Sequence, residues 1–61
     1  MYFNGKYVTY IEDCGENTGG YYCIVYKDET LEEELDNFCI DKESIALNPD
    51  VEYWIKKHLS V

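Results

Sequence analysis

The sequence of 61 residues carries 13 acidic residues against five lysines and no arginine, which gives a formal net charge of −8. A chain of this size buries only about 60% of its unfolded surface, so we expect one small domain, residues 1–61, with a modest core. The charge argues against direct binding of nucleic acid or of an anionic membrane surface. No apolar run is long enough for a transmembrane helix.

The N-terminal segment and the cysteines point to a reducing compartment. Residues 1–6 lack a basic region followed by an apolar stretch, so no signal peptide is predicted and a cytoplasmic protein is expected. The cysteines, Cys14, Cys23 and Cys39, are odd in number and widely spaced, which favours free thiols. A Cys14–Cys23 bridge across a hairpin stays open as an alternative. No metal site or cofactor is predicted, because no Cys-x-x-Cys pair accompanies His58.

Residues 1–27 predict a β-meander. Asn4-Gly5 is a strong signal for a two-residue type I′ turn between a short first strand and a second strand. The turn-rich segment 14–20 then separates the second strand from a third, and both strands are rich in β-branched and aromatic residues. We predict that Gly19 takes a positive φ in a three-residue loop, 17–19.

That loop length predicts the register of the second hairpin. Tyr10 then lies opposite Tyr26, and Cys14 lies opposite Tyr22. In this register the better core face carries Met1, Phe3, Val8, Tyr10, Tyr22, Ile24 and Tyr26. The other face carries Tyr2, Tyr7, Thr9, Ile11, Asp13, Cys23, Val25 and Lys27.

Residues 28–61 predict a helical part. Thr30 and Glu33 match a capping box, and the apolar residues that follow, Leu31, Leu35, Phe38 and Cys39, fall on one face of a helix. The end of this helix stays open, because 38–40 fits a short fourth strand equally well, with 44–47 as a single helical turn. The predicted fold class is therefore α+β: a three-stranded antiparallel meander followed by two short helices packed on one sheet face.

The last helix has the clearest signals. Asn48 is the predicted N-cap, with Pro49 at the first helical position. Its apolar face repeats with helical spacing through Val51, Trp54, Ile55, His58 and Leu59. We expect Trp54 to pack in the core and His58 to lie near the end of the helix without a catalytic partner. No enzyme activity is predicted.

The charge is concentrated in residues 28–43, which hold eight acidic residues and one lysine, a net charge of −7. This acidic segment predicts a small non-enzymatic protein-interaction module, a regulator or inhibitor that docks a basic partner protein. A narrower form of the same hypothesis is a nucleic-acid mimic. The predicted contact residues are Asp28, Glu29, Glu32, Glu33, Glu34, Asp36, Asp41 and Glu43.

Seven tyrosines support an alternative interface. Tyrosine is enriched in interface cores because it combines contact area, rigidity and a polar group. The alternative is a structural or accessory subunit, or a homodimer, that uses the second sheet face through Tyr2, Tyr7, Ile11 and Val25.

Overall fold

A computed structural model describes residues 1–60, so Val61, the last residue of the predicted domain, lies outside the described residues. The architecture is α+β, as predicted, but the antiparallel sheet has four strands rather than three, in the order β1-β2-β3-β4. The strands are β1 (Tyr2–Phe3), β2 (Lys6–Glu12), β3 (Tyr21–Tyr26) and β4 (Glu34–Ile40), and the helices are α1 (Lys42–Leu47) and α2 (Val51–Leu59).

The first hairpin forms as predicted. Asn4 and Gly5 have φ values of 52° and 74°, the left-handed pair that a type I′ turn requires. The backbone N–H of Val8 donates to the Met1 carbonyl at 2.7 Å, and the Met1 ammonium group donates back to the Val8 carbonyl at 2.7 Å. The short first strand is therefore fixed at both of its ends.

The register of the second hairpin differs from the prediction by three residues, since Tyr10 lies opposite Cys23 rather than Tyr26. Gly19 has the predicted positive φ, at 98°. The loop is longer because two turns follow one another, with Thr18 N–H bonded to the Gly15 carbonyl and Gly20 N–H bonded to the Asn17 carbonyl. An odd shift turns a strand over, because successive side chains of a strand point to opposite faces.

Asn17 ties this loop to the end of β4. Its amide nitrogen donates to the Ile40 carbonyl at 3.0 Å, and its amide oxygen accepts the N–H of Lys42 at 3.1 Å. Gly20 lies directly beneath this bridge, where a Cβ atom would collide with the Asn17 amide and the Ile40 carbonyl oxygen. The loop thus positions the chain between β4 and α1.

The helix predicted from Thr30 is wrong, and the open alternative of a fourth strand is confirmed over a longer range. Thr30 lies in a tight turn, where its N–H and hydroxyl donate to Asp28 at 3.0 and 2.5 Å. The following strand pairs with β3, with a register shift next to Val25. Tertiary pairing overrides the local helical pattern here, because the edge of β3 offers a full row of backbone hydrogen bonds.

The last helix begins two residues later than predicted. Asp50 is the N-cap and accepts the N–H of Tyr53 at 3.3 Å. Asn48 instead ends α1, where its N–H donates to the Ser44 carbonyl at 2.9 Å. The carbonyl of Asn48 accepts the indole N–H of Trp54 at 2.8 Å, so the half-buried Trp54 links the two helices.

The core lies between one face of the sheet and the helices. Its buried side chains are Val8, Cys23, Val25, Ile40, Val51 and Ile55. Ile45 of α1 and Leu59 of α2 pack against this cluster, so both helices cover the same face. Only α2 corresponds to a helix of the predicted pair, because the predicted first helix is replaced by β4. Because β3 is turned over, Cys23 and Val25 point into the core, and Tyr22, Ile24 and Tyr26 point to the opposite face.

Candidate interaction surfaces

The acidic segment follows a border of the sheet made of one end, where Glu29 reaches Tyr2 of β1, and one edge. It runs through the connection between β3 and β4, along β4, which is an edge strand, and into the first turn of α1. All eight predicted contact residues have exposed side chains: Asp28, Glu29, Glu32, Glu33, Glu34, Asp36, Asp41 and Glu43. The sequence interpretation placed Glu32, Glu33, Glu34 and Asp36 on a helix. The structure instead places the first two in the connection before β4 and the last two on β4 itself.

Two of these carboxylates also hold the backbone. Hydrogen bonds from the hydroxyl and the N–H of Thr30 lower the pKa of Asp28. Asp41 is the N-cap of α1 and accepts the N–H of Ser44 at 2.7 Å, and hydrogen bonding from Ser44 lowers its pKa. Both groups therefore stay ionised at neutral pH while they fix the two ends of the acidic segment.

The outer edge of β4 is partly closed by its own side chains. The Asp36 carboxylate accepts the N–H of Asn37 at 2.8 Å, and the Asn37 amide donates to Glu34 at 3.1 Å. Carboxylates beside an edge strand discourage strand-to-strand association with another neutral or acidic edge. This arrangement leaves a row of negative charge rather than an open β-ladder.

The face of the sheet opposite the helices is uncovered in the part of the chain that the structure describes. Alternation along the paired strands places on this uncovered face the side chains of Tyr2, Tyr7, Thr9, Ile11, Tyr22, Ile24, Tyr26, Asn37 and Cys39. The rings of Tyr2 and Tyr7 contact each other edge to face, with centroids 5.0 Å apart. Ile11 is 66% exposed, an unusual fraction for an isoleucine in a strand.

The structure corrects one residue of the predicted sheet-face interface. Tyr2, Tyr7 and Ile11 do share the uncovered face, but Val25 is only 1% exposed and belongs to the core. The error follows from the register, which turned β3 over. Part of β3 carries a signal that could have prevented it, because Tyr22 and Tyr26 alternate with the smaller Cys23 and Val25, although Tyr21 lies on the core side.

Four of the five lysines lie away from the uncovered face. Lys6 alternates with Tyr7 and so projects to the helix side. The other three, Lys42, Lys56 and Lys57, lie in the helices. Lys27 follows the end of β3, and its N–H donates to the Glu33 carbonyl at 3.0 Å.

Glu29 connects the acidic segment to the uncovered face. Its carboxylate accepts a hydrogen bond from the Tyr2 hydroxyl. This bond, with the negative charge of Glu29, raises the pKa of Tyr2 to about 12. At the same end of the sheet, but on the edge strand β4, Glu34 lies opposite Tyr26. Each of these two tyrosines thus has a carboxylate neighbour.

The helix side carries a cleft of about 270 Å³ between β4 and the helices. His58 stacks on Phe38 there with ring centroids 3.8 Å apart, and the Lys57 ammonium group lies 5.2 Å from the centroid of the Trp54 ring. The contact between His58 and Phe38 joins the end of α2 to β4. Among the described residues, no three His, Cys, Asp or Glu side chains come close enough to hold a metal ion.

The cysteines lie apart from one another. Cys23 is buried, whereas Cys14 and Cys39 are exposed, and all three are free. Cys23 faces Tyr10 across the hairpin, so the alternative register that would set it opposite Cys14 is not the one formed. Burial raises the pKa of the Cys23 thiol to about 11.

Comparisons with protein-family models, with curated proteins and with solved structures found no match for this chain. Neither of the two described helices is long and apolar enough to cross a membrane. The functional argument therefore depends on the two surfaces themselves.

Proposed function

We propose that this chain is a non-enzymatic protein-interaction module, a regulator or inhibitor that docks a basic partner protein through its acidic segment, residues 28–43. The supporting observation is that eight exposed carboxylates follow one extended border of the sheet, with a single lysine among them. Summed charge of one sign steers a complementary partner and accelerates encounter. Three free thiols favour a cytoplasmic location, which is part of the proposal.

The extended path of the acidic segment favours a long, narrow contact. The seven residues of β4 span about 20 Å at the usual rise of a strand, and acidic residues lie before, within and after them. A basic groove or a basic extended segment would match this shape. A nucleic-acid mimic is the narrower form of the proposal, in which the matching groove is that of a nucleic-acid-binding protein.

The test is charge reversal at two positions of the acidic segment. Glu32→Lys with Glu33→Lys changes two exposed carboxylates in the connection before β4. The control, Glu12→Lys with Glu16→Lys, changes the net charge by the same amount at exposed positions outside the segment. Circular dichroism and thermal unfolding would show that both variants keep the fold.

The immobilised wild-type protein should retain basic proteins from a cell extract at low salt and release them as salt rises from about 50 to 300 mM. We expect the variant in the segment to lose most of this capture and the control to keep it. Equal losses in both variants would mean that only net charge matters. Full retention by the segment variant would exclude residues 32 and 33 from the contact.

The uncovered face supports a second candidate function, a structural or accessory subunit that forms a homodimer through Tyr2, Tyr7 and Ile11. Its aromatic and aliphatic side chains are suited to burial. Two copies would each bring a net charge of −8, which opposes association at low salt. Sedimentation velocity at low and high salt separates this candidate from acidic docking, because a sheet-mediated dimer would be favoured by salt.

A further inference from the structure

We infer that the uncovered face binds an arginine-bearing segment of the basic partner, with guanidinium groups stacked on its tyrosine rings and paired with the carboxylates at its border. This inference rests on the proposed function and names the chemistry of the partner. It extends the contact from the acidic segment onto the adjacent face of the sheet.

The aromatic part of the site is a continuous surface. Tyr7 and Tyr26 are direct cross-strand partners, and Tyr2 lies opposite Tyr7 on its other side. Three tyrosines therefore follow one another across β1, β2 and β3 at one end of the sheet. The face of such a ring attracts a cation, and the attraction is stronger for a partly desolvated cation than in open water.

The carboxylates lie where such a cation would need them. Glu29 contacts the Tyr2 hydroxyl at one side of this row, and Glu34 lies opposite Tyr26 at the other. A guanidinium group stacked on either ring can reach a carboxylate without leaving the surface. Stacking and ion pairing then act on the same group.

Charge complementarity selects a cationic occupant from outside the chain. Lys6 projects to the helix side, and Lys42, Lys56 and Lys57 lie in the helices, so these four lysines do not compete for the tyrosines of the uncovered face. A second copy of the chain contains no arginine and would bring a further charge of −8. The site therefore fits a basic partner better than a second copy.

Arginine fits this surface better than lysine. The guanidinium group is planar, weakly hydrated and able to bond a carboxylate through two N–H groups while it stacks on a ring. An ammonium group is compact and strongly hydrated, so it loses more on leaving water. The property to measure is therefore the difference in affinity between an arginine peptide and a lysine peptide of equal charge.

The probes are two synthetic peptides of equal length and charge, one carrying arginines and the other carrying lysines at the same positions. We expect the arginine peptide to bind at least about fivefold more tightly, a difference of about 1 kcal/mol. In NMR titrations it should shift backbone amides of Thr9 and Ile24 on the uncovered face as well as those of the acidic segment.

The matched variants distinguish the effect of the aromatic ring on binding from the effects of its hydroxyl group and of its apolar area. Tyr7→Leu with Tyr26→Leu keeps apolar area but removes the aromatic faces, and should abolish the preference for arginine. Tyr7→Phe with Tyr26→Phe keeps the faces and should retain it. Thermal unfolding of both variants checks the fold, and Tyr2→Leu, at the edge of the sheet, replaces the double variant if that variant unfolds.

The outcomes separate this inference from the proposed function. Equal binding of both peptides, with shifts confined to residues 28–43, would overturn the inference and leave acidic docking standing. Binding of neither peptide would contradict both. A dimer that the leucine substitutions dissociate would overturn the inference in favour of a second copy on the uncovered face.

Discussion

The covered and uncovered faces of this sheet are both largely apolar, but they use different side chains. Under the helices lie compact groups that pack closely, among them Val8, Cys23 and Ile40. The uncovered face carries four tyrosines, Tyr2, Tyr7, Tyr22 and Tyr26, each of which ends in a polar hydroxyl group. Overall hydropathy therefore does not orient such strands, and neither does tyrosine by itself, since Tyr10 and Tyr21 lie on the helix side.

The isoleucines give the largest expected contrast between the faces. Ile40 is 5% exposed and Ile11 is 66% exposed, although both are strand residues. Ile40→Ala should lower the free energy of unfolding by about 2–5 kcal/mol, because it leaves a cavity under the helices. Ile11→Ala should change it by less than about 0.5 kcal/mol. Denaturant unfolding of both variants measures the difference.

Ile40→Ala is expected to remove most of the free energy of unfolding of so small a domain. Ile40→Val is the milder variant, with an expected cost of about 0.5–1.5 kcal/mol, and it keeps the comparison measurable. Similar costs for Ile11→Ala and Ile40→Val would mean that the face we describe as uncovered is packed against something in solution.

Two cysteines on neighbouring strands allow the two faces to be compared by their chemical reactivity. Cys39 is exposed on the uncovered face, whereas Cys23 is fully buried and its pKa is raised to about 11 by that burial. A thiol reagent at mildly alkaline pH should therefore modify Cys14 and Cys39 rapidly. Cys23 should react on the order of 100-fold more slowly, because it must wait for the core to open.

This rate also tests the register of the second hairpin. In the register predicted from the sequence, Cys23 lies on the face away from the core and would react as quickly as Cys39. Three fast thiols in the native protein would therefore contradict the orientation of β3. Mass spectrometry after brief labelling identifies which cysteine is modified, and unfolding in denaturant supplies the fully reactive control.

Local signals in the sequence were sufficient where a few neighbouring residues decide the structure. Asn4 and Gly5 fixed the first turn, and Gly19 took its expected φ because positive values suit glycine. The face shared by Val51 and Ile55 likewise followed from helical spacing. These features depend on contacts within one turn or one helix.

The predictions of strand register and of the first helix failed because residues that are distant in the sequence determine both features. The register of β3 depends on two successive turns held by Asn17, whose partners, Ile40 and Lys42, are more than twenty residues away. Residues 34–40 have helical spacing but become a strand because β3 has an unpaired edge. Both errors affected the candidate site. The wrong register assigned Tyr22 and Tyr26 to the core face, and the wrong helix placed four of the eight carboxylates on a helical surface.

The smallest expected effects are changes in two raised tyrosine pKa values, which have different causes. Tyr2, at the uncovered face, has a pKa of about 12 chiefly because its hydroxyl bonds the charged Glu29. Tyr10, on the helix side, has a raised pKa chiefly because of burial, with the charge of Glu52 second. Glu29→Gln should therefore bring the pKa of Tyr2 down towards 10, whereas Glu52→Gln should change that of Tyr10 less.

The sign of the linked stability follows from the raised pKa of Tyr2. The folded protein keeps this proton above the pH at which the unfolded chain loses it, near 10. The stabilisation of the folded state that is linked to this proton is therefore complete below pH 10, and it is lost as the pH rises through about 12. It is small because the pair is exposed to solvent, so ring-carbon NMR of each tyrosine is the primary measurement. An unchanged Tyr2 pKa in Glu29→Gln would remove Glu29 from the border of the uncovered face, and with it one of the two carboxylates assigned to arginine.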